Sequence, residues 1–316
     1  MPVSSSDHCP RPSVSPKVMG LWLPAMLLAT ALPAQELEPR ALQNAPVGAN
    51  VVLGAIGYSR GNLLMDPALP IENARADVWS LTTGFVRAIG LFGLSGKLGF
   101  IVPFATGSWK GTVAGADTSA SRTGLGDPRV QLSVNFLGAP ALTQSQMRSY
   151  RAKTVVGVQL RASVPVGQYY PERLVNLGTN RWSFRPRLGV SQAVGSRLTL
   201  EGYSAVTFFT TNHNFYGGQV LTQAPFLEIE GDAIYTIRNP DIWIAGSLGY
   251  GWGGATTLNG VPAESHKNAR ASVVLRLPLA RGHALKLIYV NGLTTRLGAD
   301  FDTYQIAYQY AFGGRR

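Results

Sequence analysis

The sequence predicts an all-β protein, a transmembrane antiparallel β-barrel of about twelve strands that follows a cleaved signal peptide. Three observations carry that reading. Apolar and polar residues alternate with a period of two in segment after segment, the repeat of a pleated strand whose side chains leave opposite faces in turn. Many segments run roughly 11–14 residues, longer than ordinary globular strands and near the length that crosses a bilayer at a tilt. Short turns also alternate with longer polar loops at 60–74, 111–123, 168–179, 211–221 and 254–268, and transmembrane barrels separate their connections in this way.

The first 34 residues read as an export signal. Arg11 and Lys17 give a positive start, Val18 to Leu32 is mostly apolar, and Ala29-Thr30-Ala31 or Leu32-Pro33-Ala34 supplies the small residues of a cleavage site. The apolar run is broken by Pro24 and is shorter than the roughly 20 residues of a membrane helix. Cys9, the one cysteine, lies in this segment, so residues 35–316, expected to form the barrel, can make no disulfide. Removal of Arg11, Lys17 and Asp7 leaves 26 basic residues against 16 acidic ones.

The strands follow in order. Asn50 to Tyr58 and Arg75 to Ala88 are strand-like with ambiguous facing, because Arg75, Asp77 and Arg87 share parity with Trp79, Leu81 and Phe85. Gly90 to Gly93 turns the chain into Leu94 to Thr106, where Leu98, Phe100, Val102 and Phe104 oppose Lys97. Val130, Leu132, Val134 and Phe136 then alternate with Arg129, Gln131, Ser133 and Asn135. The loop from Gly138 to Tyr150 is longer than the short-turn pattern predicts. In the fifth strand Val156, Val158, Leu160, Ala162 and Val164 oppose Lys153, Gln159 and Arg161.

The sixth strand is the clearest. Trp182, Phe184, Pro186, Leu188 and Val190 point one way, and Arg181, Ser183, Arg185, Arg187 and Gly189 point the other. Gly195-Ser196-Arg197 makes a hairpin pairing Val194 with Leu198. The seventh strand sets Glu201 and Tyr203 opposite Leu200 and Val206, and the eighth sets Glu228, Glu230 and Asp232 opposite Leu227, Ile229 and Ala233. The ninth (Ile242 to Trp252), tenth (Arg270 to Leu279), eleventh (Leu285 to Tyr289) and twelfth (Tyr304 to Phe312) alternate likewise.

A soluble sandwich alternates too. Strand length, loop alternation, an even strand count and aromatics near the segment ends favour the barrel. The energetics then fix the facing. Turning Arg181, Arg185 and Arg187 to lipid would cost about 2–4 kcal/mol each near the midplane, so the arginines face the lumen.

The chain carries a net charge of +11, with 36 glycines and only 14% charged residues. Its Lys and Arg residues are spread through alternating segments with no nucleic-acid motif, which excludes nucleic acid as a partner class. The expected partners are outer-membrane lipid, a small-molecule solute and the outer-membrane assembly machinery.

Three motifs also carry a resemblance. Gly124-Leu125-Gly126-Asp127 precedes a strand, Val164-Pro165-Val166-Gly167-Gln168-Tyr169 closes one, and Asn176-Leu177-Gly178-Thr179-Asn180-Arg181-Trp182 opens the next. In order and context, from about Asn50 to Phe312, the chain resembles the outer-membrane transporter family named for the meta-cleavage pathway of phenol degradation. The resemblance implies a Gram-negative outer-membrane barrel for uptake of hydrophobic or aromatic compounds, without catalytic residues. Such proteins usually finish at a terminal aromatic, whereas Gly313-Gly314-Arg315-Arg316 follow Phe312 here.

The candidate site is a lumen-facing charge cluster: Arg161, Arg181, Arg185, Arg187, Glu201, Glu228, Glu230, Asp232 and Arg276. Parity adds Lys97, Arg129, Lys153, Arg270 and Lys286 to the same interior. Twelve strands about 4.8 Å apart at a tilt near 40° give a diameter of roughly 24 Å, much of which arginines can close. The cluster therefore reads either as a constriction favouring anions or aromatic carboxylates or as paired charges filling a closed barrel. If the turn pairs Ile237 with Ile242, Asp232, Glu230 and Glu228 lie opposite Ser247, Gly249 and Gly251. An outer-membrane enzyme is the other class of reading. His213, His266 and His283 fall in loops or a tight turn, away from any serine on a strand face, so no catalytic residue is assigned. Neither cofactor nor metal is expected, and Gly249 to Gly254 lacks the helix and Lys-Ser/Thr ending of a phosphate loop.

Overall fold

A computed structural model describes residues 37–64, 71–113, 115–238, 241–296 and 298–314. The predicted signal peptide lies outside these residues. The alternating segments form an antiparallel sheet in which β1 (Ala49–Leu64), β2 (Ile71–Leu91), β3 (Leu94–Val113), β4 (Ala116–Leu125), β5 (Arg129–Pro140), β6 (Thr154–Ser163), β7 (Ser183–Val194) and β8 (Leu198–Phe209) follow one another. After the small strands β9 (Asn212–Phe215) and β10 (Gln219–Gln223) come β11 (Phe226–Arg238) and β12 (Ile242–Gly253). After β13 (Thr256–Leu258) and β14 (Val261–Pro262) come β15 (His266–Ala280), β16 (His283–Thr295) and β17 (Gly298–Gly313). The sheet runs from β2 through β1 and β17 round to β5 and β3, and the β2–β3 pairing closes it into a barrel of twelve lanes. Closure satisfies every edge N–H and C=O, which lipid cannot do.

The outward face is apolar because every second residue of the strands is. Trp182, Phe184, Leu188 and Val190 of the β7 lane are exposed, as are Tyr304, Ile306, Tyr308, Tyr310 and Phe312 of β17. Aromatic pairs form two bands. His283 stacks on Tyr310 at 4.5 Å near the short turns, and Tyr58–Trp79 and Tyr289–Tyr304 pair at 4.9 and 5.0 Å further up. The ambiguous facing of β2 is resolved by height. Arg75, Asp77 and Arg87 do lie on the outward parity, but near the strand ends, where Tyr58 donates to Asp77 at 2.7 Å and Arg87 donates to Asn50 at 3.1 Å. Charges at the membrane boundary cost little compared with the midplane.

Four predicted loops are corrected. The polar stretch 111–123 is a hairpin: β3 runs on to Val113 and β4 returns beside it, Phe104 facing Leu125. β4 and β5 occupy one lane against β3, interrupted only at residues 126–128. The 60–74 loop is shorter than expected because β1 and β2 stay paired out to Asn62 and Arg75. The loops around 211–221 and 254–268 contain a separate four-stranded sheet, β14-β13-β10-β9, packed on Phe215, Leu221 and Leu258. The long Gly138–Tyr150 connection holds a short helix, α1 (Gln144–Met147), with Thr143 and Gln146 forming a capping box.

Both hairpin registers read from the sequence are present. Val194 pairs Leu198, and Asp232, Glu230 and Glu228 face Ser247, Gly249 and Gly251. A bulge near the second turn sets Arg238 opposite Ile242.

Candidate functional site

The lumen is occupied. Residues 37–47 lie inside the barrel as a leash that runs, in chain order, from Glu38 beside Glu230 out to the end that carries the start of β1 and the short turns. Backbone groups of the leash are held one by one by inward side chains. The Glu38 N–H donates to Glu230 at 3.1 Å, and the Arg40 N–H donates to Glu201 at 2.7 Å. Lys97 donates to the Ala41 carbonyl at 2.9 Å, and Asn135 donates to the Leu42 carbonyl at 3.0 Å. The Arg40 side chain reaches Thr236 and lies 5.1 Å from the Trp243 ring. The exit is fixed by the long connection: Asn44 donates to Pro140, and the Val47 N–H donates to Leu142. Anchoring the leash gives the length of that connection a physical reason.

Leu42 is the apolar peg of the leash, 4% exposed against Val155, Ala139 and Tyr203. Its socket exists because β6 and β7 place glycines inward. A Cβ on Gly157 would lie 2.9 Å from Leu42, and one on Gly189 would lie 3.1 Å from Leu42 and 2.4 Å from Tyr203. The void left beside the peg is only about 10 Å³.

The predicted cluster divides in three. Arg185 and Arg187 form buried ion pairs with Glu228 at 2.7 Å and Glu230 at 2.6 Å, and Arg187 also lies 3.6 Å from the Tyr203 ring centre. Arg161 joins them, donating to Gln131 and facing the leash carboxylate of Glu38 at 3.7 Å. Glu201 accepts from Ser191 and Tyr203 and from the leash, while Asp232 sits beside it on the next strand. Two members stand apart. Arg181 is at the opposite end of the lumen, bonded to Gln223 and over Phe209. Arg276 sits at the short-turn mouth on Asp241, at 2.6 Å to its carbonyl. Lys153, expected inward, is exposed just before β6 begins.

The opposite wall is different in kind. From Val51 to Leu63, β1 turns Val51, Leu53, Ala55, Gly57, Ser59, Gly61 and Leu63 inward. From Ala74 to Ala88, β2 turns only small or apolar residues inward. The lumen therefore has an uncharged face and a charged face, with the leash between them.

Above the leash a second closure is built from the three sequence motifs. Asp127, in the break between β4 and β5, accepts from the Gly167 N–H at 2.9 Å with one oxygen. Its other oxygen accepts from the Thr179 N–H at 2.8 Å and the Thr179 hydroxyl at 2.6 Å. The glycines permit this contact. A Cβ on Gly167 would lie 2.6 Å from Gly126, one on Gly178 2.7 Å from Gly167, and one on Gly124 2.7 Å from Gln168. Each of those distances is a clash. The knot turns Val175 and Leu177 into an apolar cluster with Leu63, Val78, Trp109 and Phe301.

Among the described residues, His283 contacts Tyr308 and Tyr310, His266 meets the Phe226 ring edge-on, and His213 is exposed. Among the described residues, no group of three or more His, Cys, Asp or Glu gathers where a metal could be held.

The barrel is similar to solved structures at low identity. An outer membrane channel from Pseudomonas putida F1 matches with a TM-score of 0.75 and 17% identity, covering 88% of this chain and all of that one. The β domain of the Bordetella autotransporter BrkA matches with a TM-score of 0.51 and 13% identity, covering 84% of this chain and all of that one. No curated protein matches the sequence. The sequence model described as putative MetA-pathway of phenol degradation matches residues 53–277, a span that starts inside β1, ends inside β15 and includes all three motifs tied together by Asp127. That span is well over half of the chain, which thus belongs to this family of outer-membrane β-barrels.

Proposed function

We propose that the protein is a porin-like channel for small solutes, closed at rest by its own N-terminal leash. The observation that carries this reading is how the leash is held. It is gripped through polar contacts from separate strands and one apolar peg, with no strand pairing to the wall. Such contacts can be given up one at a time, whereas a plug fused into the sheet could not leave. A closed structural barrel, the competing reading, gives no reason for an uncharged wall facing a charged one.

The two walls suit a small amphipathic solute such as an aromatic carboxylate. Its ring would pass along β1 and β2, and its carboxylate would meet Arg161 and Lys97 as the leash releases them. Glu38 on Arg161 already places a carboxylate there. Arg185 and Arg187 are neutralised by Glu228 and Glu230, so on this reading they shape the wall and Arg161 and Lys97 confer charge preference. Export by the signal peptide, cleaved after Ala34, and insertion by the assembly machinery belong to the same reading, and no catalytic step is assigned.

Reversal potentials in planar bilayers test it. With the leash deleted, the expected result is anion preference that shrinks in Arg161→Gln. Cation preference, or no response to Arg161→Gln, would contradict the carboxylate reading.

A further inference from the structure

One row of the charged wall is built unlike the rest. At a single height, strand pairing aligns Ser191, Glu201, Asp232, Ser247 and Ser272 across β7, β8, β11, β12 and β15. All five are oxygen-bearing, and no basic residue interrupts the row. Asp232 is 4% exposed, Ser247 3% and Ser272 4%. Neither Asp232 oxygen nor either serine hydroxyl makes a well-formed hydrogen bond, although the Ser247 hydroxyl and the Glu230 carboxyl lie close enough to Asp232 to act on it. Buried polar atoms are nearly always satisfied, and an unmet carboxylate is the most expensive exception.

The neighbouring charges meet this only in part. Glu201 faces Asp232 directly and accepts hydrogen bonds from the Ser191 and Tyr203 hydroxyls and the Arg40 N–H. Arg187 is bonded to Glu230 and attracts Asp232 only through space, and the Arg40 guanidinium reaches Thr236 and the Trp243 face. Two buried carboxylates on adjacent strands, separated by about 5 Å, repel unless something positive lies between them. The wall beside them is bare, because Gly249 and Gly251 continue the inward face of β12.

We infer that Glu201, Asp232 and Ser247 form a site for a hard cation of calcium's kind, with Ser272 reached through water. The donor set is oxygen only, which suits hard cations. Two carboxylates match a divalent charge. Ser272 is two strands from Asp232, about 10 Å, too far to ligate the same ion directly. The site needs no third acidic residue, since hydroxyls and water complete such shells. It also lies under the leash, whose Arg40 N–H sits on Glu201, so a bound cation would brace the wall that the leash grips. This inference is independent of solute passage and stands or falls separately from it.

Terbium luminescence on the folded full-length protein in detergent tests it, with Tyr203 as the sensitiser beside Glu201. The expected result is saturable emission, displaced by Ca2+ and unchanged in Asp302→Asn. Asp232→Asn should weaken binding about tenfold or more, as loss of a ligand does, and Ser247→Ala by a few fold. Folding of each variant is read from heat-modifiable gel mobility. If Asp232→Asn does not fold, Ser247→Ala carries the test, since it removes one hydroxyl. Absence of saturable emission, or equal affinity in every folded variant, would overturn the inference. So would an infrared carboxylic-acid band that persists at saturating Ca2+, because a shared proton would then be holding the pair.

Discussion

Arg187 shows what a single inward residue does here. Its guanidinium lies between Glu230 and the Tyr203 ring, nearly without solvent. Removing one partner of such a pair strands the other charge, so Arg187→Ala should destabilise the barrel by about 3–5 kcal/mol. The double variant Arg187→Ala with Glu230→Ala should recover much of that loss, and urea unfolding would measure both. Leu42 behaves differently. Leu42→Ala costs about 2–5 kcal/mol of buried apolar contact, but the loss falls on leash docking, so barrel unfolding should hardly move while residues 37–47 become open to protease. Asp127 is the third case. Its carboxylate takes three hydrogen bonds, and charge-assisted bonds contribute about 1.5–3 kcal/mol each without simple additivity. Asp127→Ala should therefore free the 164–182 segment to proteolysis while leaving β5 and β6 paired. Cleavage in β6 instead would contradict that role.

Among the elements, the wall strands were legible and the interior was not. Period-two alternation fixes which side of β7 faces lipid, because burying Trp182 and Phe184 in the lumen would force three arginines outward. The register of β11 on β12 followed from one turn. Strand ends were less readable, since β3 and β4 above the membrane carry Ser, Thr and Gly in place of an apolar face, and so β4 read as loop. The leash was invisible for a similar reason. Leu37 to Val47 has no periodicity, and its backbone is satisfied by Glu201, Glu230, Lys97 and Asn135, residues far away in the chain. The overlong Gly138–Tyr150 connection was one trace of it in the sequence. The inward glycines Gly157 and Gly189 carried the other trace, since a lumen merely lined with charge has no need of them. Gly189→Val should expel Leu42 and loosen the leash while β7 remains paired to β6 and β8, as hydrogen exchange of residues 37–47 would report.

At the scale of the molecule, Arg161, Arg185, Arg187, Glu201, Glu228, Glu230 and Asp232 lie inside the barrel, with Arg181 and Arg276 at its two ends. Parity placed them inside but could not say what they held, because it assigns a face and not a partner. Glu201, Glu230, Arg161 and Lys97 of the charged wall hold the leash, with the uncharged wall of β1 and β2 opposite. On the proposed reading, residues 37–47 at one end and the Asp127 knot at the other give the resting state two barriers. Single-channel conductance of the full chain, compared with the chain lacking residues 37–47, tests this most directly. The full chain should be closed or show small, brief openings, and the shortened chain should conduct steadily at several times that level. Equal conductance in the two would contradict a channel gated by its own leash.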